Sequence, residues 1–155
     1  MIPRYEKHIF YIFILVISSG CYFDEINQPE SVGTNQSISI QINIVDNVPE
    51  TTNPHKGILS VLVPEDWEFI SGTYSSADFS GSLLQSNIWT DSTESCYPAV
   101  SFGSSMKWIA LISDTGYTYE NEITVSIELN LESWITEGCF SMAYLTTKAT
   151  PNLIC

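Results

Sequence analysis

An all-β domain with two sheets packed face to face is the fold class that this 155-residue chain predicts. Three observations carry that expectation. Ser37–Ile44 and Ile123–Leu131 alternate apolar and polar residues without a fault, as strands with one face in a core do. Gly57–Val63 and Met106–Ser113 are almost continuously apolar over strand length, which suits strands covered on both faces. No window holds a convincing apolar period of 3.6 residues, so helices are not expected to organise the body.

The first twenty residues read as an export signal rather than as part of that body. MIPRYEKH carries Arg4 and Lys7, an unbroken apolar run follows from Ile9 to Ile17, and Ser18-Ser19-Gly20 ends it before Cys21. Nine helical residues rise only about 14 Å, roughly half of what a spanning helix must cross. Small residues leading to a cysteine resemble the lipobox of bacterial lipoproteins, with Ser18 in place of the commoner Leu, as in the relaxed lipoboxes of Bacteroidota. The resemblance implies cleavage before Cys21, acyl chains on its thiol and amine, and attachment to the outer membrane. An ordinary cleaved signal with a chance cysteine is the alternative. Asp24 and Glu25 are similar to the acidic surface-export signals of some Bacteroidota lipoproteins and hint that the protein faces outward. Residues 21–35 are expected to be a polar tether, since NQPESVGTNQ has linker chemistry.

The sandwich is assigned to residues 36–147. Its first strand holds Ile38, Ile40, Ile42 and Ile44 on one face. Asn47–Lys56 contains two prolines and reads as a loop. Gly57–Val63 is a buried strand, Pro64-Glu65-Asp66 a turn, Trp67–Tyr74 a third strand, and Gly81–Trp89 a weaker fourth. Thr90–Tyr97 reads as a loop with room for one helical turn. Met106–Ser113 is a central strand and Asp114-Thr115-Gly116 a turn. Ile123–Leu131 and Phe140–Thr147 are the last two strands. About seven short antiparallel strands with polar loops point to an immunoglobulin-like β-sandwich. Residues 148–155 read as a tail in which a further strand begins and is cut short.

Charge excludes whole classes of partner. The chain has 18 acids against 5 Lys plus Arg, a net charge of -13. Setting aside residues 1–20, which hold Arg4, Lys7 and Glu6, leaves 17 acids against Lys56, Lys107 and Lys148, a balance of -14 with no arginine. Nucleic acid is excluded as a partner, because phosphate binding needs Lys and Arg to release counterions. The expected partners are the membrane, through lipid on Cys21, and a protein or glycan at the cell surface. Ser and Thr fill 34 of 155 positions, so hydroxyls make much of the polar surface.

No cofactor, metal site or catalytic residue is expected. His55 is the single histidine after the leader, lies in the proline-rich loop, and has no G-x-S-x-G serine to serve. Glu65, Asp66 and Glu68, or Glu120 and Glu122, are carboxylate pairs in watery turns, unsuited to the raised pKa that glycosidase chemistry needs. Asp91 and Glu94 lack EF-hand spacing. With Cys21 assigned to lipid, Cys96 and Cys139 are the best disulfide pair, closing a loop that would stabilise by about 4 kcal/mol; Cys155 is left over. Trp108 is assigned to the core. Trp89, Tyr97, Tyr117 and Tyr119 are the candidate glycan platform, because sugar rings stack on exposed aromatic faces and these four flank polar turns.

Overall fold

The computed structural model describes residues 21–134 and 142–149. The expectations for the leader 1–20, for Cys139 and for the tail beyond residue 149 fall outside the described residues. The chain is all-β and antiparallel, as the alternation predicts, with ten strands among the described residues: β1 Cys21–Asn27, β2 Gln36–Asp46, β3 Glu50–His55, β4 Gly57–Pro64, β5 Glu68–Ser75, β6 Ser80–Gln85, β7 Met106–Ser113, β8 Tyr117–Tyr119, β9 Ile123–Ser133 and β10 Ala143–Lys148. Eight of them form one ladder in the order β1-β2-β9-β5-β6-β7-β4-β10, while β3 and β8 pair separately.

The ladder makes two layers by turning a corner in β6. Its first half pairs with β5, Gly81 opposite Tyr74, and its second half with β7, Leu84 opposite Ile112. Gly81 is required there, since a Cβ would collide with the Tyr74 hydroxyl and the Asp114 carboxylate. The two ends of the ladder then meet, the rings of Phe23 on β1 and Tyr144 on β10 lying edge-on with centroids 6.2 Å apart. The immunoglobulin-like expectation implies two separate sheets; here one strand belongs to both layers.

The layers enclose a single large core. β2 and β9 pair over eleven registers, and their inward residues, Ile38 to Ile44 and Val125 to Leu131, meet Leu59, Val61 and Val63 of β4 and Ile109 and Leu111 of β7. The continuous apolar run of β4 is explained by its second face. Leu62 joins Trp108 and Ala99 in a smaller cluster, on the side where the helix α1, Asn87–Cys96, and a 3-10 turn, Ala99–Ser101, pack on β7. Trp108 is therefore buried, as expected.

Three segments differ from the sequence expectations. The first seven residues of the expected tether form β1, because Cys21 and Phe23 alternate inward and the backbone pairs with Val45, Asp46 and their neighbours; two inward residues are too short a pattern to read as a strand. Residues 50–55 of the expected loop form β3, a short edge that touches β8 only at Glu50–Tyr119 and His55–Tyr117 and so tolerates Pro54. The expected strand end and loop at 87–96 is the ten-residue helix α1, nearly three turns long. Its sheet-facing residues are hydroxyls instead of an apolar stripe: Thr93 Oγ1 lies 2.9 Å from Ser60 Oγ, and Thr90 Oγ1 accepts the Ala110 N–H at 3.1 Å.

Leu129 is fully buried at the middle of β9 while its neighbour Glu128 faces water. Leu129→Ala should cost about 2–5 kcal/mol in urea unfolding, whereas Glu128→Ala should stay within about 0.5 kcal/mol of the parent. Equal losses for the two would mean that the inward register is misassigned.

Candidate functional site

The inward series of β2 does not stop at Ile44. Position 46 has the same parity and is an aspartate, 5% exposed, at the end of the sandwich where Cys21 lies. A buried carboxylate needs donors around it, and it has them. The Tyr119 hydroxyl donates to Oδ2, the Val48 N–H donates to Oδ1 at 3.0 Å, and Lys148 Nζ stands 3.4 Å from Oδ2. The Cys21 thiol donates as well. Lys148 is held in turn by the Val48 carbonyl at 3.1 Å and by the Tyr119 ring, 5.2 Å below its Nζ. Burial alone would raise the Asp46 pKa, but the hydrogen bonds of Tyr119, Cys21 and Val48, with the charge of Lys148, together hold it below the usual carboxylate range.

Cys21 is half-buried and turned into this network. Burial first, then its hydrogen bond to Asp46 and that residue's charge, push its thiol up to about 12. Beneath it lies a cavity of about 40 Å³, bounded by Cys21, Asp46, Ser113, Tyr117 and aliphatic side chains of the core, with room for a few waters and nothing larger. The aromatic rings beside it form an internal stack: Tyr117 lies flat on Phe79 at 4.2 Å, with Tyr74 and Tyr119 each 6.2 Å from it. Burial, then the charges of Cys21, Asp46 and Tyr74, push the Tyr117 phenol to about 12. Tyr74 donates to Asp114 at 2.8 Å and tethers the β7–β8 turn.

The structure separates the four expected platform aromatics. Tyr119 is buried and Tyr117 half-buried in the internal stack, so their faces are occupied by other rings. Trp89 lies half-buried on α1, and Tyr97, 40% exposed, ends that helix and accepts the Trp108 indole N–H on its carbonyl at 2.7 Å. Of the four, only Tyr97 is exposed, and no common face gathers them. The remaining sequence candidates are scattered too. His55 Nδ1 stands 3.0 Å from Glu50 Oε2 on β3, unaligned for a hydrogen bond. Glu65 and Glu68 are exposed on either side of buried Trp67, and Glu120 and Glu122 are exposed before β9. Glu94 caps the 3-10 turn by accepting the Ala99 N–H at 3.0 Å. Cys96 closes α1, and the pairing expected for it depends on Cys139, outside the described residues.

Sequence reasoning did not single out Asp46 or Lys148. The signal for Asp46 was present: it is the fifth term of an inward series whose first four members are isoleucine. Lys148 carried none, because its partner is a hundred residues away. Neither a known protein family, nor a curated protein, nor a solved structure matches this chain.

Two measurements probe this end of the sandwich. Since the Asp46 pKa is lowered by folding, its contribution is complete above the unfolded carboxylate value and is lost as pH falls below that value towards the folded one. Asp46→Asn should therefore lose about 1.5–3 kcal/mol at pH 7 and show a shallower fall in stability between pH ~5 and ~2; an acid limb identical to the parent's would refute the network. In the unacylated chain at pH 8, iodoacetamide should label Cys21 roughly a thousandfold more slowly than in the urea-unfolded chain, following the shift from 9.0 to about 12. Peptide mapping by mass checks it, and equal rates would mean that β1 is not docked.

Proposed function

We propose that this chain is a non-enzymatic, lipid-anchored exported protein of a bacterial envelope, attached to the outer membrane through acylated Cys21 and presenting its β-sandwich as an interaction or structural domain. The observation that carries the reading is the leader: Arg4 and Lys7, the apolar run from Ile9 to Ile17, and Ser18-Ser19-Gly20 ahead of Cys21 together resemble a lipoprotein signal. The arginine-free acidic composition supports export over any nucleic-acid role, and the dispersal of His55 and the carboxylate pairs favours binding or scaffolding over catalysis. Among the described residues no helix is long and apolar enough to cross a membrane.

The order of events follows from the thiol. Acyl transfer needs a thiolate, and docking of β1 suppresses it, so Cys21 is modified before β1 joins the sheet. The cavity below is too small for an acyl chain, so in the mature protein the sulfur turns outward. The bulge between Phe23 and Glu25 is where β1 can part: residues 21–23 lift away while Glu25, Ile26 and Asn27 stay paired with Asn43, Ile42 and Gln41. Asp46 then loses one donor and keeps Tyr119, Val48 and Lys148. Two or more chains hold a protein stably on a bilayer. Export also places Cys96 and Cys139 in an oxidising compartment, where we expect them to pair.

Expressed at full length in a bacterial host, the protein should incorporate labelled palmitate and partition into the detergent phase, and Cys21→Ser should abolish both. Label or partitioning that survives Cys21→Ser would overturn the anchor.

A further inference from the structure

The turn from β1 to β2 and the outer face of β2 enclose a groove of about 440 Å³ that differs chemically from the rest of this acidic surface. Among the described residues no charged side chain lines it. Its polar walls are four amides, Asn27, Gln28, Gln36 and Gln41, and three hydroxyls, Ser31, Ser37 and Ser39, with Pro29 and Val32 as apolar surface between them.

Three of the four amides are held by one pole and leave the other for a ligand. The Gln36 Oε1 accepts the Gly33 N–H at 3.0 Å, which leaves its NH₂ to donate. The Gln28 Oε1 accepts the Tyr144 hydroxyl at 2.5 Å, which likewise leaves the NH₂. The Asn27 NH₂ donates to Glu25 Oε1 at 3.0 Å, which leaves the carbonyl to accept. Fixed donors and acceptors of this kind cost little entropy to use. The turn that carries them is itself pinned: Ser133 donates to the Gly33 carbonyl at 2.8 Å, and the Asn35 N–H donates to the Trp134 carbonyl at 3.1 Å. Asn35 takes the left-handed conformation, φ 54°, that asparagine tolerates. Trp134, at the end of β9 beside this turn, is 40% exposed and adds an indole to the neighbourhood.

We infer that this groove is a binding site for a neutral oligosaccharide. Two fixed amide donors, on Gln28 and Gln36, and one fixed acceptor, on Asn27, match sugar hydroxyls, which both accept and donate; pyranose C–H faces suit proline, valine and indole surfaces, and the lack of Lys or Arg excludes a sulfated or uronic chain. The site shares no residue with the expected platform of Trp89, Tyr97, Tyr117 and Tyr119. It also stands clear of the anchor, since Asn27 is six residues along β1 from Cys21, about 20 Å at strand rise.

The test uses the full-length protein in detergent micelles, titrated calorimetrically with cellohexaose, xylohexaose, mannohexaose and maltohexaose, with hexagalacturonate as the charged comparator. We expect at least one neutral hexasaccharide to bind and hexagalacturonate not to. Gln41→Ala and Ser39→Ala, both on the exposed face of β2, should each weaken binding about three- to tenfold, the worth of one lost hydrogen bond, with urea midpoints unchanged. Tyr97→Ala should leave the affinity alone. Binding should persist in Cys21→Ser, so that failure of the anchor and failure of the groove are told apart. No binding of any neutral hexasaccharide, or binding that both β2 variants leave untouched, overturns the assignment.

Discussion

One constraint governs the molecule: a single antiparallel ladder must bury one face against itself. β2 and β9 supply the widest part of that face, eleven paired residues with isoleucine, valine and leucine at every inward position from Ile38 to Ile44 and from Val125 to Leu131. An eight-stranded ladder of this kind cannot stay flat without exposing its apolar face, so it turns at β6 and brings β4 and β7 over β2 and β9. The turn leaves the outer faces of β4 and β7 to be covered, because Leu62 and Trp108 point there. That is the work of α1 and the 3-10 turn after it. A helix of serines and threonines can do it because its buried hydroxyls find partners, Thr93 with Ser60 and Thr90 with the Ala110 N–H, so that little desolvation is left unrepaid.

Closing one end of the sandwich sets the second requirement. The inward register of β2 continues past the core and must end on something that can meet water, and it ends on Asp46. A carboxylate at 5% exposure is tolerable only with its donors in place, which fixes the positions of Tyr119, Val48 and Lys148, and through them β8, the β2–β3 turn and the end of β10. Cys21 is the one member whose donor a covalent modification would remove. The remaining donors, Tyr119, Val48 and Lys148, make such a loss bearable.

The sequence made the strands with strict alternation legible because their register is the direct imprint of one buried face; β2 and β9 were readable almost to the residue. β4 and β7 were legible as buried strands, though not what buried them. α1 was missed since its packing face is hydroxyls, which carry no apolar period, and β1 since only Cys21 and Phe23 turn inward. The site was less legible than the fold for a related reason. Tyr117 and Tyr119 follow a turn and look exposed, yet β8 pairs with β3 and carries them into a ring stack that no local pattern announces. Asp46 could have been found by extending the parity of four isoleucines by one step. The amides of the groove come from β1, the following turn and β2, and only the pairing of those strands makes one wall of them.

Charge distribution links the two ends. Residues 21–155 carry a balance of -14, so their surface repels polyanions at a distance. Against that field, the groove beside β1 and β2, lined among the described residues by amides and hydroxyls without a charge, gives a ligand no Coulomb reward and demands none. Neutral, hydroxyl-rich molecules lose nothing on approaching it, while anionic ones are turned away before they reach it. The groove opens where β1 ends and Cys21 lies at the other end of the same strand, so β1, the segment that reads most like a linker in sequence, sets the spacing between the groove and the Asp46 network through its pairing with β2.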